Sequence, residues 1–280
     1  MNDIMMSFDS KTDYITKDQI REIAPLAFEQ APTNPNLSKN YLFVNTETII
    51  DDLAKLNWLP VEAGQRKSRG GETVFSKHMV AFQNPDIKIT SKDGDDAFPR
   101  IIMTNSHDGM QSFKFSVGIF RMVCSNGLVV ADEQFSDFKI KHKGYTFAEL
   151  RGVVKQAVED LPARVEVLNK MKERVLTQEE KNKLALDAML IRANIKPGSE
   201  KATKFNYDAE TIEDILDPKR DADKGNDLWR VFNVVQEKIT QGEFSAALSG
   251  AKVRKVRKIK SFEKDIKVNQ ELFKLATSLV

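Results

Sequence analysis

The sequence contains little cysteine and histidine. Its 280 residues include one cysteine, Cys124, and three histidines, His78, His107 and His142. One cysteine excludes an internal disulfide framework, and the scattered histidines lack the spacing of a metal centre. We therefore expect no metal and no cofactor. Cys124 follows Arg121 closely and could be an activated thiol, but a small buried side chain is the simpler interpretation.

Long apolar runs and an excess of one charge are also absent. No apolar run approaches about 20 residues, the length that a membrane span needs, and the acidic N-terminus (MNDIMMSFDSKTD) lacks the apolar core of a signal peptide. We therefore expect a cytoplasmic protein without a membrane partner. The 43 Lys and Arg residues nearly balance the 41 Asp and Glu residues, leaving a net charge of +2, so any basic surface must be local.

Phosphate-binding loops and the GxSxG and HExxH motifs are missing too, so neither an ATPase nor a common hydrolase is indicated.

The longest β-like stretch covers residues 100–130. Residues 112–119 alternate between apolar and polar side chains, which is typical of a strand with one buried face. One face of this strand would carry Phe113, Phe115, Val117 and Ile119, and the other Ser112, Lys114, Ser116 and Gly118. His107, Asp108 and Gly109 form a turn signal before it, and Asn126-Gly127 marks a second turn. The stretch therefore predicts a long antiparallel hairpin.

Helical and strand patterns surround this hairpin. A helix with an apolar stripe follows Thr46 or Thr48, either of which could cap it. Capping-box signals at Thr146 and Thr177 predict two helices after the sheet. Residues 61–69 are expected to form a strand or a loop, and further strands are expected at residues 74–84, 87–90 and 138–143. We predict an α+β fold, with a curved antiparallel sheet that has a long central hairpin and is backed by helices, and a helical C-terminal region. The expected domains are an N-terminal arm (1–40), an α+β core (41–195), a linker (196–225) and a helical region that packs on the core (226–280).

Four strings of the sequence are unusually specific. NSHDG and GIFRMVCSNGLVV lie in the hairpin, and LWRVFNVVQE and DIKVNQEL lie near the C-terminus. With them the chain resembles, from Tyr41 to its end, the phage- and plasmid-like family known as domain of unknown function 932. Two positions depart from the family pattern, since Gly242-Glu243 replaces a usual Gly-Gly and Phe273 replaces a frequent tryptophan. The resemblance implies a protein of a phage, a plasmid or another mobile element, and it marks a structural motif at Asn105, His107, Asp108, Gly109, Cys124, Asn126 and Gly127.

A basic run at residues 252–260 is the strongest functional signal. Six of its nine residues are cationic: Lys252, Arg254, Lys255, Arg257, Lys258 and Lys260. Clustered lysines and arginines neutralise phosphates, which is the physical basis of non-specific nucleic-acid binding. The alternative is a solvated segment that faces the acidic residues of the linker, Glu210, Glu213, Asp214 and Asp217.

A second set of cations is predicted on the sheet. Its members are Arg66, Lys67, Arg69, Lys77, Arg100, Lys114 and Arg121, with His78 beside them. If the strands pair, several of these side chains could share the face opposite Phe113 and Phe115. Phe120 and Tyr145 are possible platforms for base stacking. An ordinary polar sheet face is the alternative interpretation.

His107 and Asp108 allow an enzymatic hypothesis, a metal-dependent nuclease. The pair has no nearby nucleophile or further ligand in the sequence, and an Asp-Gly turn whose side chains bond the backbone accounts for the same residues. We therefore expect a protein without enzymatic activity.

Together the basic runs and the resemblance predict a nucleic-acid-binding protein, with single-stranded DNA as the favoured partner. The order of elements is similar to the core of single-strand-annealing recombinases of the Redβ/Erf type, which implies annealing in recombination or replication by a homo-oligomer in the form of a ring or filament. This is an analogy of fold only. The alternative is a counter-defence factor that binds a host protein.

Overall fold

The structure is a computed structural model that describes residues 14–34, 36–37, 41–65, 77–89, 97–108, 113–121, 138–140, 146–205, 207–242, 244–246 and 253–280. The chain divides into two compact units, Met1–Leu161 and Pro162–Val280. This boundary differs from the expected one at residue 195. Among the described residues, none of the helices has both the length and the apolar character that crossing a membrane requires.

The first unit contains an antiparallel sheet in which neighbours in sequence are neighbours in space. Its strands are β1 (Leu59–Gln65), β2 (His78–Gln83), β3 (Ala97–Asn105), β4 (Phe113–Arg121) and β5 (Phe138–Ile140). β3 and β4 form the predicted long hairpin, paired from Ala97↔Arg121 to Thr104↔Lys114. The strand expected at residues 87–90 is reduced to one bridge, Ile89↔Ala97. The predicted α+β class, with its antiparallel sheet, central hairpin and helical C-terminal region, is confirmed.

Three helices of the first unit begin at side-chain caps. They are α1 (Lys17–Ile23), α2 (Thr46–Lys55) and α3 (Phe147–Glu159), and a 3-10 turn (Pro25–Phe28) follows α1. The predicted capping box at Thr146 is present, because its hydroxyl accepts from the Glu149 N–H and the Glu149 carboxylate accepts from the Thr146 N–H. For α2 the expected cap was wrong by one residue. The side chain of Asn45, rather than that of Thr46 or Thr48, accepts the free N–H of Thr48.

The core of the first unit lies between the sheet and its helices. Alternate sheet residues Val80, Phe82, Ile101, Met103, Phe113 and Phe115 are buried against Ile49, Ile50 and Leu53 of α2 and Leu150 and Val154 of α3. Each such side chain gains about 1.5–3 kcal/mol on leaving water. Ile20 of α1 is fully buried in the same cluster, and the Ile15 N–H donates to the Pro60 carbonyl. The expected N-terminal arm therefore packs on this unit.

The opposite face of the sheet is also largely buried. All six residues of β2 are buried, and in β3 only Arg100 is partly exposed. Met79, Phe98 and Ile102 alternate with the residues of the helix-facing side, so apolar side chains occupy both faces. The face that carries Arg100 is therefore not the open polar surface that the sequence suggested.

The second unit is mainly helical. Its elements are α4 (Leu161–Glu173), α5 (Gln178–Arg192), α6 (Glu200–Thr203), α7 (Ala209–Leu216), a 3-10 turn (Asp221–Asp223), α8 (Leu228–Gln241), β6 (Ser245–Ala246), β7 (Arg254–Lys255) and α9 (Phe262–Thr277). The predicted capping box of Thr177 and Glu180 starts α5. The rings of Trp229, Phe232 and Phe273 pack together in the interior, with centroids 6.2 and 6.0 Å apart.

The segment expected to be a linker, residues 196–225, is an integral part of the second unit. Ile212 and Ile215 of α7 are buried. The Arg220 guanidinium donates two hydrogen bonds of 2.7 Å to the Glu237 carboxylate on α8, a bidentate geometry that fixes both partners. This stretch is therefore part of a folded unit, because it carries a short apolar stripe within its acidic, polar composition.

We predict that Asn45→Ala lowers the free energy of unfolding of the first unit by about 1 kcal/mol, since the first turn of α2 loses its cap. Asn45 also donates to Gln30, at 2.7 Å. Thr48→Ala is the matched control, because Thr48 is exposed and supplies no cap. Urea denaturation compares the two variants, and an equal loss in Thr48→Ala would contradict the assignment of the cap.

Candidate nucleic-acid interface

The basic segment, residues 253–260, is an extended stretch held against the end of α8. β7 pairs with β6 through Ser245↔Lys255 and Ala246↔Arg254. Further along, the Val256 N–H donates to the Phe244 carbonyl at 2.9 Å and the Ile259 N–H donates to the Thr240 carbonyl at 2.8 Å. Main-chain hydrogen bonds on both sides of Arg257 therefore fix the course of the segment.

Two apolar side chains anchor the segment in the second unit. Val256 is 7% exposed and Ile259 is 8% exposed, whereas Val253 is 59% exposed. The cationic side chains between and beside these anchors are all exposed: Arg254, Lys255, Arg257, Lys258 and Lys260. Lys252 lies outside the described residues. The three-residue apolar repeat thus corresponds to an anchored extended strand with five cations on its outer side.

The five cations of the basic segment have no counter-charge among the residues that the structure describes. Within the described part of the chain, none of their side chains forms an ion pair or a hydrogen bond. The acidic residues considered as their partners, Glu210, Glu213, Asp214 and Asp217, line a groove of about 610 Å³ instead, together with Lys181 and Lys224. The charges of the segment are therefore available to an external anion.

Gly242 makes the close contact between α8 and the basic segment possible. It ends α8 in the left-handed conformation, with φ +73°. A Cβ atom at this position would lie 2.4 Å from the carbonyl carbon of Arg257 and 2.6 Å from its oxygen. Only glycine fits such a site. The family position that departs from Gly-Gly retains the glycine that this contact needs.

Arg192, the last residue of α5, supports the segment from another side. Its guanidinium donates to the Arg257 carbonyl at 2.7 Å. Burial lowers the pKa of Arg192, and Asp265 opposes this shift. Sequence reasoning missed both Gly242 and Arg192, because neither stands near residues 252–260 in a recognisable pattern.

The predicted cations of the sheet are placed differently. The Arg100 side chain is 11% exposed; it donates to Gln83 Oε1 at 3.1 Å and lies 3.9 Å from a Glu62 carboxylate oxygen. Burial lowers the pKa of Arg100 to about 10, against the opposing effects of Glu62 and Tyr14, so it remains a cation at neutral pH. This guanidinium is engaged inside the first unit.

The structure describes three of the other predicted sheet cations. Lys77 and Lys114 are half-buried, and Arg121 contributes its backbone to the end of β4. Arg66, Lys67, Arg69 and Tyr145 lie outside the described residues. A phosphate-binding sheet face therefore remains a prediction, and the basic segment, which belongs to the other unit, is the better-defined candidate.

The NSHD string builds a buried polar cluster in the first unit, formed by Thr46, His78, Asn105 and His107, which we call the histidine cluster. The Thr46 hydroxyl lies 2.8 Å from His78 Nε2 and 3.2 Å from His107 Nε2. Asn105 Nδ2 donates to the same hydroxyl at 3.0 Å and to the Val44 carbonyl at 3.3 Å. One side chain at the start of α2 thus joins the beginning of β2 to the end of β3.

Hydrogen-bond counting limits the charge of the histidine cluster. A threonine hydroxyl has one proton and two acceptor sites. Asn105 occupies one acceptor site, so one imidazole donates to the oxygen and the other must accept its proton. The two histidines therefore cannot both be cationic without losing a bond. Burial, and then the proximity of His107, lower the pKa of His78 to about 3, so His78 is the neutral ring.

The rest of the motif ties the N-terminal segment to the sheet. The Thr33 N–H donates to the His107 carbonyl at 2.9 Å, and Asn34 Nδ2 donates to the Asp108 carbonyl at 3.1 Å. Asp108 is buried. Among the described residues, no three His, Cys, Asp or Glu side chains converge as metal ligands would. The remaining motif residues, Gly109, Cys124, Asn126 and Gly127, lie outside the described residues.

The fold and this surface define an α+β protein whose helical unit carries an unneutralised basic segment. The model of the family described as "Domain of unknown function (DUF932)" matches residues 36–273, so the chain belongs to that family, as its motifs predicted. The chain is similar to two proteins of Escherichia coli (strain K12), UPF0380 protein YafZ (28% identical) and UPF0380 protein YfjQ (29% identical). Each match covers 272 residues, 95% of this chain and 92% of the relative. No solved structure matches the chain, so the likeness to annealing recombinases stays a prediction.

We predict that the histidine cluster makes the first unit sensitive to acid. The pKa of His78 is about 3 in the folded protein and about 6.5 in an unfolded chain. Between these values the unfolded state binds more protons, so stability falls as pH falls, by about 1.4 kcal/mol per pH unit. His78→Gln should remove this contribution and flatten the dependence below pH ~6.5.

Urea denaturation between neutral and mildly acidic pH measures this slope. Trp58 is buried in the same unit, so its fluorescence in a Trp229→Phe background reports the unfolding of that unit. An equally steep dependence in His78→Gln would show that His78 is not the group that titrates.

We predict that Gly242→Ala displaces the basic segment. Alanine at positive φ costs about 1 kcal/mol, and here the new methyl group also meets the Arg257 backbone. Gly198→Ala is the matched control, because Gly198 has φ +74° with open space around its Cβ position. Unfolding followed by Trp229 fluorescence in a Trp58→Phe background should show the larger loss for Gly242→Ala, and equal losses would contradict the close contact.

Proposed function

We propose that this chain is a non-enzymatic nucleic-acid-binding protein that holds the sugar–phosphate backbone along its basic segment. The observation that carries the proposal is the set of five exposed cations without internal partners in the described residues. Neutralisation of phosphates by such side chains releases condensed counterions and supplies most of the affinity in non-specific binding.

The geometry of the segment suits a linear polyanion. An extended chain advances about 3.3 Å per residue, so the cations from Arg254 to Lys260 cover roughly 20 Å. This length matches several successive phosphates of a nucleic-acid strand. The anchors Val256 and Ile259 keep the backbone in place before any ligand arrives, which reduces the conformational entropy lost on binding.

The partner that we favour is single-stranded DNA, in annealing during recombination or replication by a homo-oligomer. This part rests on the sequence resemblance to mobile-element proteins and on the order of the elements. The basic segment itself carries no aromatic side chain, so any stacking on bases there is limited to the guanidinium planes of Arg254 and Arg257. Comparison of single strands with duplexes of the same sequence therefore decides the strand preference.

We predict that reversing four of the charges, with Arg254, Lys255, Arg257 and Lys258 changed to Glu, weakens oligonucleotide binding more than tenfold. Because each lost contact to a single strand lowers the slope of log K against log salt by about 0.7, the slope should fall by about 2.8. Fluorescence anisotropy of a labelled oligonucleotide over a salt series measures both quantities.

The matched control reverses four exposed lysines elsewhere in the second unit, Lys170, Lys201, Lys204 and Lys224. The change in net charge is the same, so a specific surface predicts a much smaller effect. Equal losses in both variants, or no binding by the unchanged protein at low salt, would refute the proposal. Capture of a host protein from nuclease-treated lysate by a protein that binds no oligonucleotide would favour the counter-defence alternative.

A further inference from the structure

The end of α5 and the start of α9 meet beside the basic segment. Arg192 donates to the Arg257 carbonyl at 2.7 Å, and Lys267 Nζ lies 3.5 Å from Asn194 Oδ1 just after α5. α9 follows the segment directly, since Ser261 is its N-cap. Cations on the first two turns of α9 are therefore neighbours of Arg192 and of the basic segment.

Lys264 and Lys267 project from these turns and are both exposed. Lys267 has one acidic neighbour, Glu271, with Nζ and Oε1 3.7 Å apart. Lys264 has no ion pair within the described residues. Burial first, and then the charges of Arg192 and Lys267, lower the pKa of Lys264. Asp265 lies near Arg192 and offsets part of this local positive charge.

The position of Lys264 is unfavourable for the isolated fold. A cation in the first turn opposes the helix dipole, and a like charge three residues away is also destabilising. In the described part of the chain, no carboxylate pairs with Lys264 to relieve this. An arrangement that costs stability and has no internal counter-charge indicates an external anion.

We infer that Arg192, Lys264 and Lys267 form a second group of phosphate contacts, so that a bound strand continues from the basic segment onto the first two turns of α9. This inference rests on the proposed function and extends it. The ligand is the same sugar–phosphate chain, and the positive end of the α9 dipole favours anions at the same place.

The test is the double variant Lys264→Gln/Lys267→Gln, measured with the same labelled oligonucleotide. Affinity should fall several-fold, and the slope of log K against log salt should fall by about 1.4, since two contacts are lost. Lys170→Gln/Lys201→Gln is the matched control: Lys170 has an i,i+4 partner in Glu166, as Lys267 has in Glu271, and Lys201 resembles the unpaired Lys264.

A second measurement separates binding from folding. Without nucleic acid, Lys264→Gln should leave the Tm unchanged or raise it, while it weakens binding. A lowered Tm would assign Lys264 a structural role and overturn the inference, as would unchanged affinity in the double variant while charge reversal of the basic segment removes binding. If the unchanged protein binds no oligonucleotide, the proposed function itself fails, and the inference fails with it.

Discussion

The contact between Gly242 and the backbone of Arg257 is the constraint on which the position of the basic segment depends. Because Gly242 has no side chain, the extended segment can lie directly on the end of α8. This position seats Val256 and Ile259 in the interior and turns the intervening cations outward. A loosely tethered run of the same composition would lose more conformational entropy on binding. Gly242 therefore contributes indirectly, because it holds the cations of the basic segment in position before a ligand binds.

The first unit contains polar side chains, those of the histidine cluster, that are buried in its interior. The Thr46 hydroxyl has three partners, one on β2, one on β3 and one in the turn after β3, and its hydrogen-bonding capacity is used completely. A buried hydroxyl whose hydrogen-bonding positions are all filled favours one arrangement of the surrounding elements, although His78 Nδ1 in the same cluster has no hydrogen-bond partner among the described residues. The NSHD string, which identifies the family, lies where α2, β2 and β3 must be joined. Its burial supports an architectural role for His107 and Asp108.

Local patterns were predictable, whereas contacts between distant residues were not. The hairpin follows from strict alternation, and the capping boxes follow from pairs three residues apart. The cap of α2 was misassigned because Thr46 is required by two histidines, 32 and 61 residues away in sequence. Arg100 suggested an open polar face, but the apolar residues alternating with it decide the burial of that face. The role of Gly242 depends on its close contact with the Arg257 backbone. A local sequence pattern does not show this contact.

The cations of the basic segment lack counter-charges among the described residues because the acidic residues lie elsewhere. The chain does not have too few acidic residues. The chain has 41 Asp and Glu residues for 43 Lys and Arg residues. Two of these carboxylates, those of Glu237 and Asp223, form ion pairs with Arg220. Within the described residues, no carboxylate forms an ion pair with the five cations of the basic segment, Arg254, Lys255, Arg257, Lys258 and Lys260. With a nearly balanced net charge and a Debye length of about 10 Å at 0.1 M salt, the field of these side chains is short-ranged. A polyanion must therefore touch the segment to sense it, which makes direct contact, rather than long-range attraction, the basis of any affinity at this surface.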